Sequence, residues 1–92
     1  MTKYSIVIPA YNEESRIEEP LKKFAEFFGS QSEIIVVCNG CTDKTPEIVK
    51  KLSSEYKQII LLNFPKKIGK GGALMEGFKK AKSDKIGFTD AD

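Results

Sequence analysis

Apolar residues along the chain form short runs that alternate with stretches of helical spacing. Tyr4 to Ile8 (YSIVI) is an apolar run ended by Pro9 and reads as a buried strand. Ile17, Leu21, Phe24 and Phe28 then recur at helical spacing and make one apolar face. Pro20 lies inside that pattern. The spacing predicts a short turn near Glu14, then a main helix with Pro20 in its first turn, where a missing N–H costs little. Glu33 to Cys38 (EIIVVC) is apolar without alternation, as in a strand covered on both faces. Thr45-Pro46 predicts an N-cap followed by proline at the first helical position. Ile48, Val49, Leu52 and Tyr56 form the next apolar face. Gln58 to Leu62 (QIILL) reads as a third strand, Ala73, Leu74, Phe78 and Ala81 as a third helix, and Lys85 to Thr89 (KIGFT) as a fourth strand.

Strand–helix alternation with short connections predicts an α/β fold. The expected form is a three-layer α/β/α arrangement on a mostly parallel sheet with right-handed crossovers. Only Asp90-Ala91-Asp92 follows the fourth strand, without a helix to cover it. The expectation is a single partial domain over residues 1–92, truncated after the fourth strand.

Composition narrows the function classes. The chain has 92 residues and a net charge of +2, too weak a charge to argue for nucleic acid or an anionic membrane surface. No apolar run approaches the roughly twenty residues of a membrane span. The opening MTKYSIVIPAYNEE lacks the apolar core of a signal peptide, and the two cysteines then fit a reducing cytoplasm. Histidine is absent, which removes the commonest general base and the commonest zinc ligand.

In open parallel sheets, ligands sit outside the carboxyl ends of the strands. Polar loop residues gather at those ends: PAYNE after the first strand, CNGCTD after the second and DAD after the fourth. Asp90 and Asp92 are spaced to approach one divalent cation, with oxygen ligands that suit Mg²⁺ or Mn²⁺. Gly69-Lys70-Gly71-Gly72 opens a helix without P-loop spacing, and could hold phosphate or merely cap the helix. Cys38-Asn39-Gly40-Cys41 admits a thiol redox reading, because thioredoxin-like proteins place a CxxC between a strand and a helix. Against it, the helix starts well downstream at Thr45-Pro46, and Cys38 completes an apolar strand as a small hydrophobe would.

The chain resembles the N-terminal part of family 2 glycosyltransferases with the GT-A fold, in the branch of dolichyl-phosphate mannose and glucose synthases. The residues that carry the resemblance are Val7-Ile8-Pro9-Ala10-Tyr11-Asn12-Glu13-Glu14, then Gly69-Lys70-Gly71-Gly72-Ala73-Leu74 with Gly77 and Ala81, then Phe88-Thr89-Asp90-Ala91-Asp92. The second loop departs from the family pattern Asp-Asp-Gly-Ser-x-Asp-x-Thr. It reads Cys38-Asn39-Gly40-Cys41-Thr42-Asp43-Lys44-Thr45, keeping Gly40, Asp43 and Thr45 but losing both early aspartates and the serine. In the family an acidic group there reads a base N–H. A cysteine cannot do so, while Asn39 can accept through its carbonyl without charge.

The resemblance implies a donor that is a nucleotide-diphosphate sugar (UDP- or GDP-sugar) and an inverting transfer to an acceptor such as a polyprenyl phosphate, a lipid. It implies that Pro9, Ala10, Tyr11 and Glu13 line the base and ribose, with Asn39, Gly40, Asp43 and Lys70 also on the nucleotide. Asp90 would contact the ribose or the metal shell, and Asp92 would hold Mg²⁺ or Mn²⁺ against the diphosphate. No catalytic base is expected within these residues. The chain alone is therefore expected to bind donor without turnover, and to self-associate through the surface left uncovered. A nucleotide-binding or non-binding remnant is the alternative.

Overall fold

The computed structural model describes residues 2–83 and 85–88. The elements run β1 (Tyr4–Ala10), α1 (Glu18–Phe28), β2 (Ser32–Asn39), α2 (Thr45–Glu55), β3 (Ile59–Phe64), α3 (Lys70–Lys80) and β4 (Ile86–Phe88). All pairings are parallel, in the order β3-β2-β1-β4. The chain builds outward from β1 through β2 to β3, then returns to the far side of β1. With right-handed crossovers, this reversal puts α1 and α2 on one face and α3 on the other.

The cores bear this out. Ile6, Ile8, Ile34, Val36 and Cys38 pack with Ile17, Leu21, Ala25, Val49 and Leu52 under α1 and α2. Val7, Ile35 and Val37, the alternate residues of the same strands, pack with Ala73 of α3. All eight residues of β2 are buried, and the apolar run from Ile34 to Cys38 suits a strand covered on both faces. α3 lies close on β1: a Cβ at Gly77 would run into the Val7 side chain. The expected three-layer α/β/α arrangement is therefore present.

Two boundaries differ from expectation. Pro9 does not end β1, which continues through Pro9 and Ala10 in register with Val37 and Cys38 of β2. The Ser5 N–H donates to the Lys85 carbonyl, on the β4 side. Odd-numbered N–H groups of β1 thus face β4. The N–H that Pro9 lacks falls one step past Val7–Phe88, the last described pair on that side, so the β2 ladder loses nothing. Nor is Thr45 the N-cap of α2. Lys44 holds that position, and Thr45 is already helical. The turn before α1 is present, closed by the Arg16 N–H on the Glu13 carbonyl at 3.1 Å, and Pro20 lies in the first turn of α1. Beside β4, Tyr4, Ser5, Ile6, Phe28, Lys85 and Ile86 line an open groove of about 330 Å³.

Candidate functional site

Three loops leave the carboxyl ends of β1, β2 and β3, over residues 11–17, 40–44 and 65–69. The first two are sewn together by Asn12. This residue has φ of 50°, a left-handed conformation that asparagine tolerates better than most side chains. Its Oδ1 accepts the N–H groups of Thr42 at 2.8 Å and Asp43 at 3.2 Å, and its Nδ2 donates to Thr42 Oγ1 at 3.2 Å. The Asn12 N–H meets Cys41 Sγ at 3.4 Å, and that thiol donates to the Ala10 carbonyl at 3.6 Å.

Asp43 and Thr45 complete the junction. Asp43 Oδ1 accepts the Thr45 N–H at 2.9 Å and the Thr45 hydroxyl at 2.6 Å, while Oδ2 accepts the Glu14 N–H at 3.2 Å. The Thr45 hydroxyl oxygen in turn accepts the Glu13 N–H at 2.8 Å. Hence Thr45 does not cap its own helix: its hydroxyl is drawn across to the first loop, and Asp43 takes up the helix-end N–H instead. Burial raises the Asp43 carboxyl, but the bonds from the Thr45 hydroxyl and from the backbone of Thr45 and Glu14 outweigh it and hold the group below the usual carboxylate range.

The third loop lies flat on the second. Asn39 Oδ1 accepts the Ile68 N–H at 2.6 Å, and the Gly40 N–H donates to the Phe64 carbonyl at 2.8 Å. Gly40 has φ of 68°, and a Cβ there would lie 2.9 Å from the backbone nitrogen of Lys67. Only glycine allows that approach. Lys67 then reaches back to the first loop, with its ammonium 4.3 Å from the centre of the Tyr11 ring.

The residues named from sequence fall unevenly around this edge. Tyr11 is exposed, and Lys70 is exposed as the first residue of α3. The Glu13 carboxylate is bound by Arg16 at 2.8 and 3.1 Å. Pro9 is half-buried in β1. Ala10 faces the core under α1, so it can meet a ligand only through its backbone. Gly40 and Asp43 brace loops, and Asn39, 5% exposed, has its carbonyl engaged by Ile68. Asp90 and Asp92 lie outside the described residues. Among the described residues no group of three or more histidine, cysteine or acidic side chains is placed to hold a metal ion.

The thiol redox reading fails here. Cys38 is fully buried, and that burial, with Cys41 alongside, pushes its thiol up from the ordinary range. A redox CxxC needs a depressed, accessible thiol. Both cysteines are free and serve as packing and loop contacts.

Sequence reasoning missed Asn12, Lys67 and the outward role of Thr45. For Asn12 a signal existed: an asparagine directly after a strand often supplies a left-handed turn residue. Lys67 had none, since it meets Tyr11 only through the fold.

Comparison with known proteins now adds to this geometry. The description "Glycosyl transferase family 2" matches residues 5–92, and the chain belongs to that family. A dolichyl-phosphate beta-glucosyltransferase of Trichomonas vaginalis is 36% identical over 96 residues, covering 96% of this chain and 30% of the relative. The dolichyl-phosphate beta-glucosyltransferase of Saccharomyces cerevisiae is 36% identical, covering 96% of this chain and 29% of its own length. The chain thus spans about a third or less of these relatives. Among solved structures, a mannosyltransferase from Pyrobaculum calidifontis in complex with GDP-Man and Mn²⁺ superposes with a TM-score of 0.88 at 29% identity, over 98% of this chain and 27% of its own. TarS 1-349 of S. aureus in complex with UDP-GlcNAc gives 0.88 at 29% identity, over 99% of this chain and 27% of that TarS segment.

Proposed function

We propose that this chain is the donor-binding half of a glycosyltransferase that takes a nucleotide-diphosphate sugar at the carboxyl edge of its sheet. We further propose that the whole protein passes the sugar to a polyprenyl phosphate, since the relatives include dolichyl-phosphate glucosyltransferases. The observation that carries the reading is the junction of the three loops. Asn12, Asp43, Thr45 and Asn39 hold them as one surface, with Tyr11, Lys67 and Lys70 on its outer side, in a chain that belongs to the family. Braced loops are pre-organised, and pre-organisation lowers the ordering cost of binding.

In this reading the Tyr11 ring offers a face to a nucleobase. Asp43 and Asn12 keep the first loop in place, and Lys70, at the start of α3, brings positive charge towards the diphosphate. Asp90 and Asp92 would hold Mg²⁺ or Mn²⁺; carboxylate oxygens suit these hard cations, as the Mn²⁺ of the Pyrobaculum structure suggests. When bound, such a cation offsets the negative charge of the leaving diphosphate. No residue among these 92 is assigned as general base, and the chain alone is proposed to bind donor without turnover. No helix among the described residues is long and apolar enough to cross a membrane.

The test is a calorimetric titration of the protein with UDP and GDP, each with and without Mn²⁺, repeated in Asp92→Ala. The expected outcome is metal-dependent binding that weakens at least roughly tenfold in the variant, the loss of one charged ligand. Failure of both nucleotides to bind, with metal present, overturns the reading. Turnover by the isolated chain would overturn the assignment of the base to other sequence.

A further inference from the structure

The whole-chain charge of +2 is unevenly placed. Residues 63–80 carry five lysines against one glutamate, and the rest of the chain is more acidic than basic. That glutamate, Glu76, is engaged by the Lys79 ammonium at 3.2 Å. The segment comprises the third loop and α3, and residues 65–71 are all exposed. Apolar side chains stand among these lysines. α3 turns Ala73 and Gly77 to the sheet. Gly72, Met75 and Lys79 follow at helical spacing and therefore share its opposite side. The Ile68 side chain lies over Gly72, 3.6 Å from where a Cβ would stand, while at Gly71 such a Cβ would meet nothing within 4 Å. Ile68 and Met75, 40% and 56% exposed, thus rise from a basic face whose glycines add no bulk.

We infer that this outer face of α3, with the third loop, is a contact surface for the anionic headgroups of a membrane. The lysine ammoniums gather at lipid phosphates, while Ile68 and Met75 enter the boundary between headgroups and acyl chains. Charge and side-chain type together choose this partner. Nucleic acid would use the same lysines, but Ile68 and Met75 are aliphatic and cannot stack on bases as aromatic side chains do. A few lysines and two exposed apolar side chains make a reversible attachment, not an anchor. The patch starts at the carboxyl edge, where Lys67 stands over Tyr11, so a molecule held by it carries the donor site at the bilayer surface. A polyprenyl phosphate acceptor, as proposed above, is dissolved in that bilayer. The contact goes beyond the donor site and does not depend on which nucleotide binds there.

The experiment sediments the protein with vesicles of phosphatidylcholine alone and of phosphatidylcholine mixed with phosphatidylglycerol, at low and at raised salt. Binding is expected to the mixed vesicles only, and to fall as salt screens the lysines. Lys79→Gln should weaken it about fivefold, the scale of one lysine beside an anionic surface. Met75→Gln should weaken it severalfold by removing an inserted side chain. Phe27→Gln is the control. Phe27, 82% exposed at the far end of α1, is the most exposed large apolar side chain among the described residues and lies outside the patch, so its loss should leave binding unchanged. No binding to the mixed vesicles at low salt overturns the inference, as does equal binding to phosphatidylcholine alone. So do Lys79→Gln and Met75→Gln proteins that bind as wild type does. Binding of a single-stranded oligonucleotide in place of the vesicles overturns it in favour of nucleic acid. Titrations with UDP and GDP in Mn²⁺, without vesicles, keep the two readings apart. Nucleotide binding without vesicle binding overturns the membrane contact alone, and vesicle binding without nucleotide binding overturns the donor site alone.

Discussion

The two ends of the sheet use similar polar side chains for different purposes. At the amino end, Glu33 Oε1 accepts the Ser5 hydroxyl at 2.9 Å and the Lys82 N–H at 2.7 Å. Ser83 donates its N–H to Ser5 Oγ at 3.2 Å and its hydroxyl to the Lys3 carbonyl at 2.7 Å, and accepts the Lys85 N–H at 3.0 Å. Ser5, Glu33 and Ser83 are all buried. These bonds join β1, β2 and the connection from α3 to β4, and so fix β4 beside β1. At the carboxyl end, Asn12, Asp43 and Thr45 bond loop to loop, and Tyr11 and Lys70 remain exposed. One network closes the fold, while the other shapes a surface. Buried polar groups must be paired wherever they lie, so pairing alone does not separate structure from function. What separates them is whether the paired groups leave chemistry facing outward.

The largest effect is expected where the carboxyl end is most tightly closed. Gly40→Ala places a Cβ against the Lys67 backbone at φ of 68°. Backbone atoms cannot swing aside as a flexible side-chain tip can. Steric overlap and left-handed strain together should cost roughly 2–4 kcal/mol. Urea denaturation measures it. A cost under about 1 kcal/mol would mean that the third loop lifts easily, and that only the amino end is rigid.

The next effect tests the amino end. Glu33→Ala strips the acceptor from the Ser5 hydroxyl and the Lys82 N–H, both in buried or half-buried settings. Leaving them unpaired should cost about 2–3 kcal/mol. Glu33→Gln should stay near wild type, because its amide oxygen can take over both bonds from Oε1. Neither change should move nucleoside-diphosphate affinity in calorimetry at a temperature where the variant is folded. A loss of affinity in Glu33→Gln would erase the proposed division between the two ends.

Much of this contrast could be read before the structure, and some of it could not. EIIVVC reads as a doubly covered strand, and its residues Ile34 to Cys38 are buried, because an apolar run without a polar face has nowhere else to go. The strand–helix order followed from run lengths and spacing for the same reason. Boundaries were harder. Pro9 looked like a strand end, yet only the register with β4 reveals that its missing N–H is not needed on the β2 side. Asp43 and Thr45 are both capping types, and local sequence cannot choose between them. The choice is made by the Glu13 N–H, 32 residues from Thr45. Asn39 was legible as a polar residue at a strand end, but not the engagement of its carbonyl by Ile68, 29 residues away. Residue types and places were thus visible, while hydrogen-bond partners set by tertiary contact were not.

The smallest expected effect sharpens the comparison most, because it touches loop bracing without disturbing packing. Asp43→Asn keeps an oxygen for the Thr45 N–H and hydroxyl but turns an NH₂ towards the Glu14 N–H. The lost bond should cost about 1 kcal/mol at neutral pH. The pH dependence has a definite sign. The folded-state carboxyl is held below its ordinary value of 3.8, so its contribution is fully present above that value and is lost as pH falls from there through the folded pKa. Wild-type stability should therefore decline in that acid window more steeply than that of Asp43→Asn, as urea midpoints on either side of it would show. The bracing partners of Asp43 are neutral hydroxyl and backbone groups, so added salt should leave the difference between the two proteins nearly unchanged. The same variant should also weaken nucleotide binding severalfold, because the first loop loses one of its ties to the second. An Asp43→Asn protein that loses stability but binds as wild type would show that these loops, like the amino-end network, serve the fold alone.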